Sequence, residues 1–562
     1  MFEVMQSRLF AFGLFLFSLS WLLADHYSPW DSFHSEALSL LAISSVFTGL
    51  LVARDRIIAP KIIKWVVLAG LLPWLPYATG ISLFAGDALL ASLYLSGFLF
   101  AILFGFTISS ADGYQPKDCW TGLAHAFWIA SLTSAAIGLV QWLGLQEPLG
   151  MYVVQTGNGA RAMGNLGQPN QLATLLLMGI AALAYVYERK VIGKLPFFMA
   201  GTFITTVLVL SQSRAGMVSV LVACAFLLWK QKTVPLRVTR NEVIGWAFGF
   251  VLGTLCLPYL SEILLMGGAR SLTATESVSE RWLIWKQVVY AIAQAPWLGY
   301  GWNQTATASA VGAAAFPGAL PYTYAHNMVL DLIVWCGIPI GLLFTGVMVY
   351  WLISRLRALN RPNAVFAMAG LLPIAVHSLL EYPFAYAYFL IAAGCLVGII
   401  EAGHGPVKTF RLGATWLWGF LATWTVLGCY MTYEYFLIEE DFRVARFESL
   451  NLGATPAAYE VPHLLLISHM AAMLKAMRQA PVPNMSKVDI ENLRKVSERF
   501  TYGAIRCRYA MALGLNDDPV GAAHQLVLIR AMHGKGYYAT CRGEIRRLGV
   551  GKYPQLAAIK AP

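Results

Sequence analysis

Charge is what this chain of 562 residues has least of: Asp, Glu, Lys and Arg together make up 12% of it, and only 29 residues are acidic. Ordinary soluble domains are about one-quarter charged, so that class is excluded. Metal-ligand spacings such as C-x-x-C are missing, although eight cysteines are present. No P-loop, nucleophile elbow, H-E-x-x-H or dinucleotide fingerprint occurs, which argues against ATP-driven transport and several hydrolase mechanisms. The free energy for any reaction must then come from the substrate. Ten-residue segments of alternating polarity are lacking too, so a membrane barrel is not indicated.

What is there is apolar: 58% of the residues are hydrophobic. Runs near 20 residues, long enough to cross about 30 Å of hydrocarbon as helix, recur to Leu437. They predict spans near 9–24, 36–53, 65–80, 88–108, 121–144, 168–187, 196–210, 215–229, 243–260, 327–352, 364–380, 385–400 and 413–437. The expected fold is all-α: a polytopic membrane protein of about 13 transmembrane helices. Residues 1–437 form the membrane domain, with a long loop at 261–326, and residues 438–562, richer in charge, form a soluble helical domain. Leu9–Ala24 follows a single basic residue, Arg8, without a clear cleavage site, and is expected to be a retained first span.

The formal net charge of +11 has an explanation in topology that needs no nucleic acid. Alternate connections carry Arg54/Arg56/Lys61/Lys64, Lys117, Arg189/Lys190/Lys194, Lys230/Lys232/Arg237/Arg240, Arg355/Arg357/Arg361 and Lys408/Arg411. With Arg8, all fall on one side, which the positive-inside rule makes cytoplasmic. Thirteen crossings deliver residues 438–562 to the opposite, periplasmic side of a bacterial inner membrane. Cys507 and Cys541 lie there, in an oxidising compartment where a disulfide between them is open.

The basic residues on the outer side of the membrane domain are few: Arg161, Arg214, Arg270, Arg281 and Lys286. Arg214 sits in Ser211-Gln212-Ser213-Arg214, a short break between two apolar runs, where snorkelling to lipid phosphate and binding of an anion are the two readings. A guanidinium donates two parallel hydrogen bonds to a phosphate, so Arg214 and Arg281 are the candidate pair for a pyrophosphate, joined by Arg161. Gln168 and Asn170, flanking Pro169, either cap a helix or touch sugar hydroxyls. His326, in Tyr324-Ala325-His326-Asn327, offers an imidazole of ordinary pKa about 6.5 that suits proton removal from a hydroxyl. Asp331 lies five residues farther on, a spacing that disfavours contact with the ring. His377 and Glu381, i and i+4, share a helix face; two groups without a third do not make a zinc site, and a role in shaping the cavity is expected. No metal and no cofactor are required in this reading.

The segments Gly164-Asn165-Leu166-Gly167-Gln168-Pro169-Asn170, Ser213-Arg214-Ala215-Gly216, Glu280-Arg281-Trp282, Pro296-Trp297-Leu298-Gly299-Tyr300-Gly301-Trp302, Ala325-His326-Asn327 and His377-Ser378-Leu379-Leu380-Glu381-Tyr382-Pro383 occur in that order. In this order they resemble the bacterial O-oligosaccharyltransferases of the PglL type, the pilin-glycosylation ligases of the O-antigen ligase and polymerase superfamily. The resemblance implies a metal-independent, inverting transfer of an oligosaccharide from undecaprenyl pyrophosphate to serine or threonine of a periplasmic protein such as pilin. By analogy His326 matches the essential histidine, and Arg214 and Arg281 match arginines associated with the donor pyrophosphate. Tyr324 and Asn327 flank the histidine motif. Two other classes stay open at this point. A lipopolysaccharide O-antigen ligase uses a similar donor, and a secondary transporter would show broken helices in two related halves, which are not seen.

Overall fold

The computed structural model describes residues 2–110, 119–157, 160–264, 276–403, 408–449, 452–453, 456 and 459–560. Lys117 and Arg270 lie outside them. The described chain is helical apart from one two-stranded sheet. Its elements run α1 (Phe2–Ser20), α2 (Phe33–Val52), β1 (Arg56–Pro60), α3 (Ile63–Leu71), α4 (Trp74–Ala78), α5 (Ala85–Ser109), α6 (Cys119–Trp142), α7 (Pro169–Glu188), α8 (Lys194–Leu210), α9 (Arg214–Lys230) and α10 (Arg240–Ile263). They continue through α11 (Glu276–Gln294), α12 (Thr305–Ala315), α13 (Met328–Ala358), α14 (Pro362–Ser378), α15 (Ala387–Ala402), β2 (Thr409–Gly413), α16 (Ala414–Ser449), α17 (Ser468–Arg478), α18 (Lys487–Arg499), α19 (Gly503–Leu515) and α20 (Pro519–Gly551). Among the described residues six helices are long and apolar enough to cross a membrane: α2, α5, most of α6, α7, α10 and α13. Other expected spans fall on shorter apolar helices, including α8, α14 and α15. The expected span at 65–80 is divided into α3 and α4, with Pro73 directly before the second piece. That at 413–437 continues unbroken as α16 to Ser449.

The chain separates into two compact units. The first comprises residues 1–70, 93–273 and 349–429. Its sheet pairs β1 with β2 antiparallel, Ile57 opposite Leu412, so two connections that the charge pattern puts on one side are hydrogen-bonded to each other. Helix association in lipid relies on close packing of small residues. Gly394 and Gly398, four apart on α15, let its backbone meet that of α5: a Cβ on Gly398 would stand 2.2 Å from the Ile102 carbonyl, and one on Gly105 would stand 2.1 Å from the Cys395 carbonyl. The buried Glu36 carboxylate joins three helices, accepting from the hydroxyls of Ser32 and Tyr94, from the Trp30 indole and from the Ala387 N–H.

The second unit comprises residues 71–92, 274–348 and 430–562. In it α13 is broken, because Gly337 adopts φ 76° and ψ 170° and Pro339 has no N–H to offer the Trp335 carbonyl. The segment Pro296–Trp302 supplies what the break removes. Tyr300 N–H donates to the Val334 carbonyl at 2.7 Å, Gly301 N–H donates to the Trp335 carbonyl at 3.1 Å, and the freed Ile338 N–H donates to the Pro296 carbonyl at 2.8 Å. Two of the carboxy-terminal helices are capped by side chains: the Ser486 hydroxyl accepts from Asp489 N–H, and the Asp518 carboxylate accepts from Gly521 N–H with Pro519 in the first turn. Cys507 of α19 and Cys541 of α20 form a disulfide, Cα to Cα 6.0 Å, within a core that includes Met511, Leu526, Ile529 and Ile545. Helix α20 is interrupted at Gly534, and the Ala531 carbonyl just before the break accepts from Gly318 N–H at 3.3 Å.

His469 of α17 is 2% exposed. Its ring stacks on Phe500, and a Cβ on Gly86 would come within 2.6 Å of its Nδ1. Burial pushes its pKa down to about 4 from the ordinary 6.5. Because the folded-state value is the lower, the unfolded chain binds the proton first. The contribution of a neutral His469 is complete above about pH 6.5 and falls away as pH drops towards 4, a loss of about 3 kcal/mol across that window. Acid unfolding of His469→Phe, followed from pH 7 to 4.5, is expected to show a shallower loss of stability than wild type; parallel curves would refute this.

Candidate functional site

In the first unit the Gly164–Asn170 motif is a folded turn leading into α7. Gln141, buried on α6, accepts from the N–H groups of Met163 and Gly164 and donates to the Gly164 and Val154 carbonyls. Asn165 donates to the Leu22 and Tyr152 carbonyls and accepts from Val154 N–H. Gly164 and Gly167 take φ 59° and 71°, where a side chain would be strained. This turn delivers Arg161 to the end of α8. Arg161 Nε donates to the Ser211 carbonyl at 2.8 Å and Ala162 N–H to that of Leu210 at 3.3 Å.

The same turn between α8 and α9 carries Arg214, at the first position of α9, after Ser213 has capped the helix by accepting from Gly216 N–H at 2.9 Å. Ser213 Oγ also donates to Asn170 Oδ1 at 2.7 Å, and Asn170 Nδ2 donates to Glu381 Oε1 at 3.3 Å. One turn farther along α7, Thr174 Oγ1 is 2.9 Å from His377 Nδ1. The buried i, i+4 pair His377 and Glu381 therefore meets an i, i+4 pair on α7, Asn170 and Thr174, of which Thr174 is buried. Gln168 occupies the cap position of α7 in an extended conformation without a capping hydrogen bond from its side chain. Of the expected site residues, Asn170, His377 and Glu381 are thus brought together by short contacts with Ser213 and Thr174, Arg161 bonds the Ser211 carbonyl, and Arg214 follows Ser213 in the chain. The two serines of the break and Thr174 were not singled out from sequence; their signal is their position beside a cation or one turn from Asn170.

In the second unit His326 stands at the head of α13 with φ 54°, a left-handed conformation that non-glycine residues seldom adopt. Asn327 caps α13, its Oδ1 accepting from the N–H groups of Val329 and Leu330. Trp285 of α11, four residues after Arg281, donates its indole N–H to the Ala325 carbonyl at 3.0 Å. Its neighbour Trp282 is exposed. The Tyr324 ring lies edge-on to Trp335, which packs on Trp302 of the Pro296–Trp302 segment. Among the described residues no group of three or more His, Cys, Asp or Glu side chains is arranged to hold a metal.

Over 551 residues, 95% of this chain and 94% of the relative, the chain is 27% identical to the general O-oligosaccharyltransferase of Acinetobacter baylyi strain ATCC 33305. The chain is a glycosyltransferase. It is also 26% identical, over 73% of its length and 76% of the relative's, to the ComP-specific O-oligosaccharyltransferase of the same strain. Family models match the enzyme in three places: protein glycosylation ligase at residues 162–186, O-antigen ligase at 196–346, and virulence factor membrane-bound polymerase, C-terminal, at 365–544. No solved structure matches. The resemblance read from the ordered motifs is the one these comparisons find.

Proposed function

We propose that the enzyme moves an oligosaccharide en bloc from undecaprenyl pyrophosphate to a serine or threonine hydroxyl of a periplasmic protein such as pilin. The observation that carries the reading is the likeness, over 95% of this chain, to a general O-oligosaccharyltransferase, with Arg214, Arg281 and His326 all inside one matched segment, residues 196–346. The acceptor oxygen attacks the anomeric carbon from the face opposite the leaving group, the bond to pyrophosphate breaks with inversion, and His326 takes the hydroxyl proton. Arg214, Arg281 and Arg161 neutralise the charge that develops on the departing pyrophosphate, so no metal is needed. Gln168, Asn170, Tyr324, Asn327, His377 and Glu381 shape the sites for sugar and acceptor.

The proposal includes 13 crossings of the inner membrane, a membrane domain over residues 1–437 with its catalytic loop at 261–326, and a periplasmic domain over 438–562. The Cys507–Cys541 disulfide supports an oxidising surrounding for that domain. The ion pair of Arg499 on α18 with Asp87 in the first turn of α5 supports the outer side for that domain, because Asp87 immediately precedes the expected span 88–108 at the end that the charge pattern puts outside.

Proteoliposomes carrying a lipid-pyrophosphate glycan, a pilin-like protein and EDTA test the reading. Wild type is expected to glycosylate serine or threonine, and His326→Ala, Arg214→Ala and Arg281→Ala to lower kcat by about a hundredfold or more. Transfer to lipopolysaccharide core in place of protein would support the O-antigen ligase reading, which the description of the 196–346 match favours.

A further inference from the structure

We infer that Asp331 and Thr305 are positioning residues for His326 that act through the backbone of Ala325 and not through the imidazole; the inference rests on the reading of His326 as the group that receives the acceptor proton. Asp331 Oδ1 accepts from Ala325 N–H at 2.9 Å and from the Thr305 hydroxyl at 2.9 Å. Thr305 Oγ1 in turn accepts from the Trp335 indole N–H at 2.8 Å. The Ala325 carbonyl is held from the other side by Trp285. Both peptide planes flanking Ala325 are therefore fixed, one by a carboxylate and one by an indole, and Ala325, Thr305 and Asp331 are all fully buried.

This grip has a physical purpose. A left-handed non-glycine residue is strained and persists only where its surroundings dictate it. His326 is such a residue, and the hydrogen bond from Asp331 N–H to the Asn327 carbonyl, 3.0 Å, anchors it on the following side as well. Asp331 thus holds the turn with its backbone after the histidine and with its side chain before it. The direction in which the imidazole leaves the chain is set by these bonds.

A single oxygen does the work: Oδ1 takes both donors, while Oδ2 has no hydrogen-bond partner among the described residues. What the turn needs is an acceptor in that place, not a negative charge. Asparagine keeps the acceptor and discards the charge, which separates positioning through the backbone from an electrostatic pairing with the histidine. Serine at 305 likewise keeps the hydroxyl that valine lacks.

The test is steady-state transfer in proteoliposomes with a lipid-pyrophosphate glycan and a pilin-like acceptor. Asp331→Asn and Thr305→Ser are expected to stay within about threefold of wild-type kcat. Asp331→Ala and Thr305→Val are expected to lose about a hundredfold in kcat with KM for both substrates nearly unchanged, as a misaimed reacting group does. Loss of activity in Asp331→Asn equal to that in Asp331→Ala, or full activity in Thr305→Val, overturns the inference. If Asp331→Ala is not recovered folded, Asp331→Asn and the two Thr305 variants decide it. His326→Ala is measured alongside: activity retained there sinks the catalytic reading itself, whereas its loss with Asp331→Ala fully active sinks only the positioning role.

Discussion

Gly337→Val is expected to leave no folded protein, and Gly337→Ala to cost more than about 4 kcal/mol, among the larger effects a single substitution produces. Two independent causes add. Gly337 has φ 76°, which a β-branched side chain adopts only with strain, and a Cβ there would stand 2.2 Å from the Trp297 carbonyl oxygen and 2.4 Å from its carbon. That atom is backbone and cannot swing aside. The obstruction is reciprocal, since a Cβ on Gly299, at φ 67°, would lie 2.3 Å from the Val334 carbonyl. Moving either strand breaks the three hydrogen bonds that compensate the interruption of α13. Gly346, on the same helix, is the control: nothing lies within 4 Å of its would-be Cβ, so Gly346→Ala is expected to be neutral or to stabilise by about 0.5–1 kcal/mol. Size-exclusion profiles and thermal midpoints in detergent compare them, and equal behaviour of the two alanine variants would contradict the account.

The second large effect concerns the ion pair that fastens α18. Arg499 donates from Nε and Nη2 to the Asp87 carboxylate at 3.0 and 2.7 Å, and Gln304 Nε2 adds a third donor at 3.0 Å. The carboxylate is 1% exposed and the guanidinium 14%. Arg499→Ala leaves a buried negative charge with only an amide to face it, at a cost of about 3–5 kcal/mol. Removing both charges, as Asp87→Leu with Arg499→Met, is expected to recover most of that loss, because the desolvation penalty disappears with the ions. Thermal midpoints measured on the single and double variants check this. A double variant no more stable than Arg499→Ala would mean that the charges are not what the single substitution disturbs.

Much of the architecture was legible because lipid leaves a protein few options. Runs such as Ala85–Ser109 and Met328–Ala358 are apolar for longer than a bilayer is thick, and they are helical, the second with a break at Gly337. The Pro296–Trp302 motif was visible as a signature but not as a junction. Its partners are backbone atoms near Gly337, and nothing in composition or spacing announces a bond to a carbonyl 34 residues away. Asp331 shows the same limit from the other side. Helical spacing correctly disfavoured contact with the imidazole, yet it carries no information about the Ala325 N–H, which belongs to the turn before the helix starts. Sequence reasoning also picked Asn170 and Glu381 separately, and only the packing of α7 against the end of α14 makes them one hydrogen-bonded pair.

The Asp87–Arg499 pair also has a history within each molecule. Its members are 412 residues apart in the chain. At about 5–20 residues per second of synthesis, the carboxylate is made roughly 20–80 s before the guanidinium that neutralises it. Throughout that interval the first residues of α5 must keep an ionised group in water or on a temporary partner. A ribosome that stops between Ser449 and Arg499 therefore releases a chain that has helices α1 to α16 but whose Asp87 has lost its Arg499 counter-ion for good, a chemical mark by which an unfinished molecule differs from a finished one.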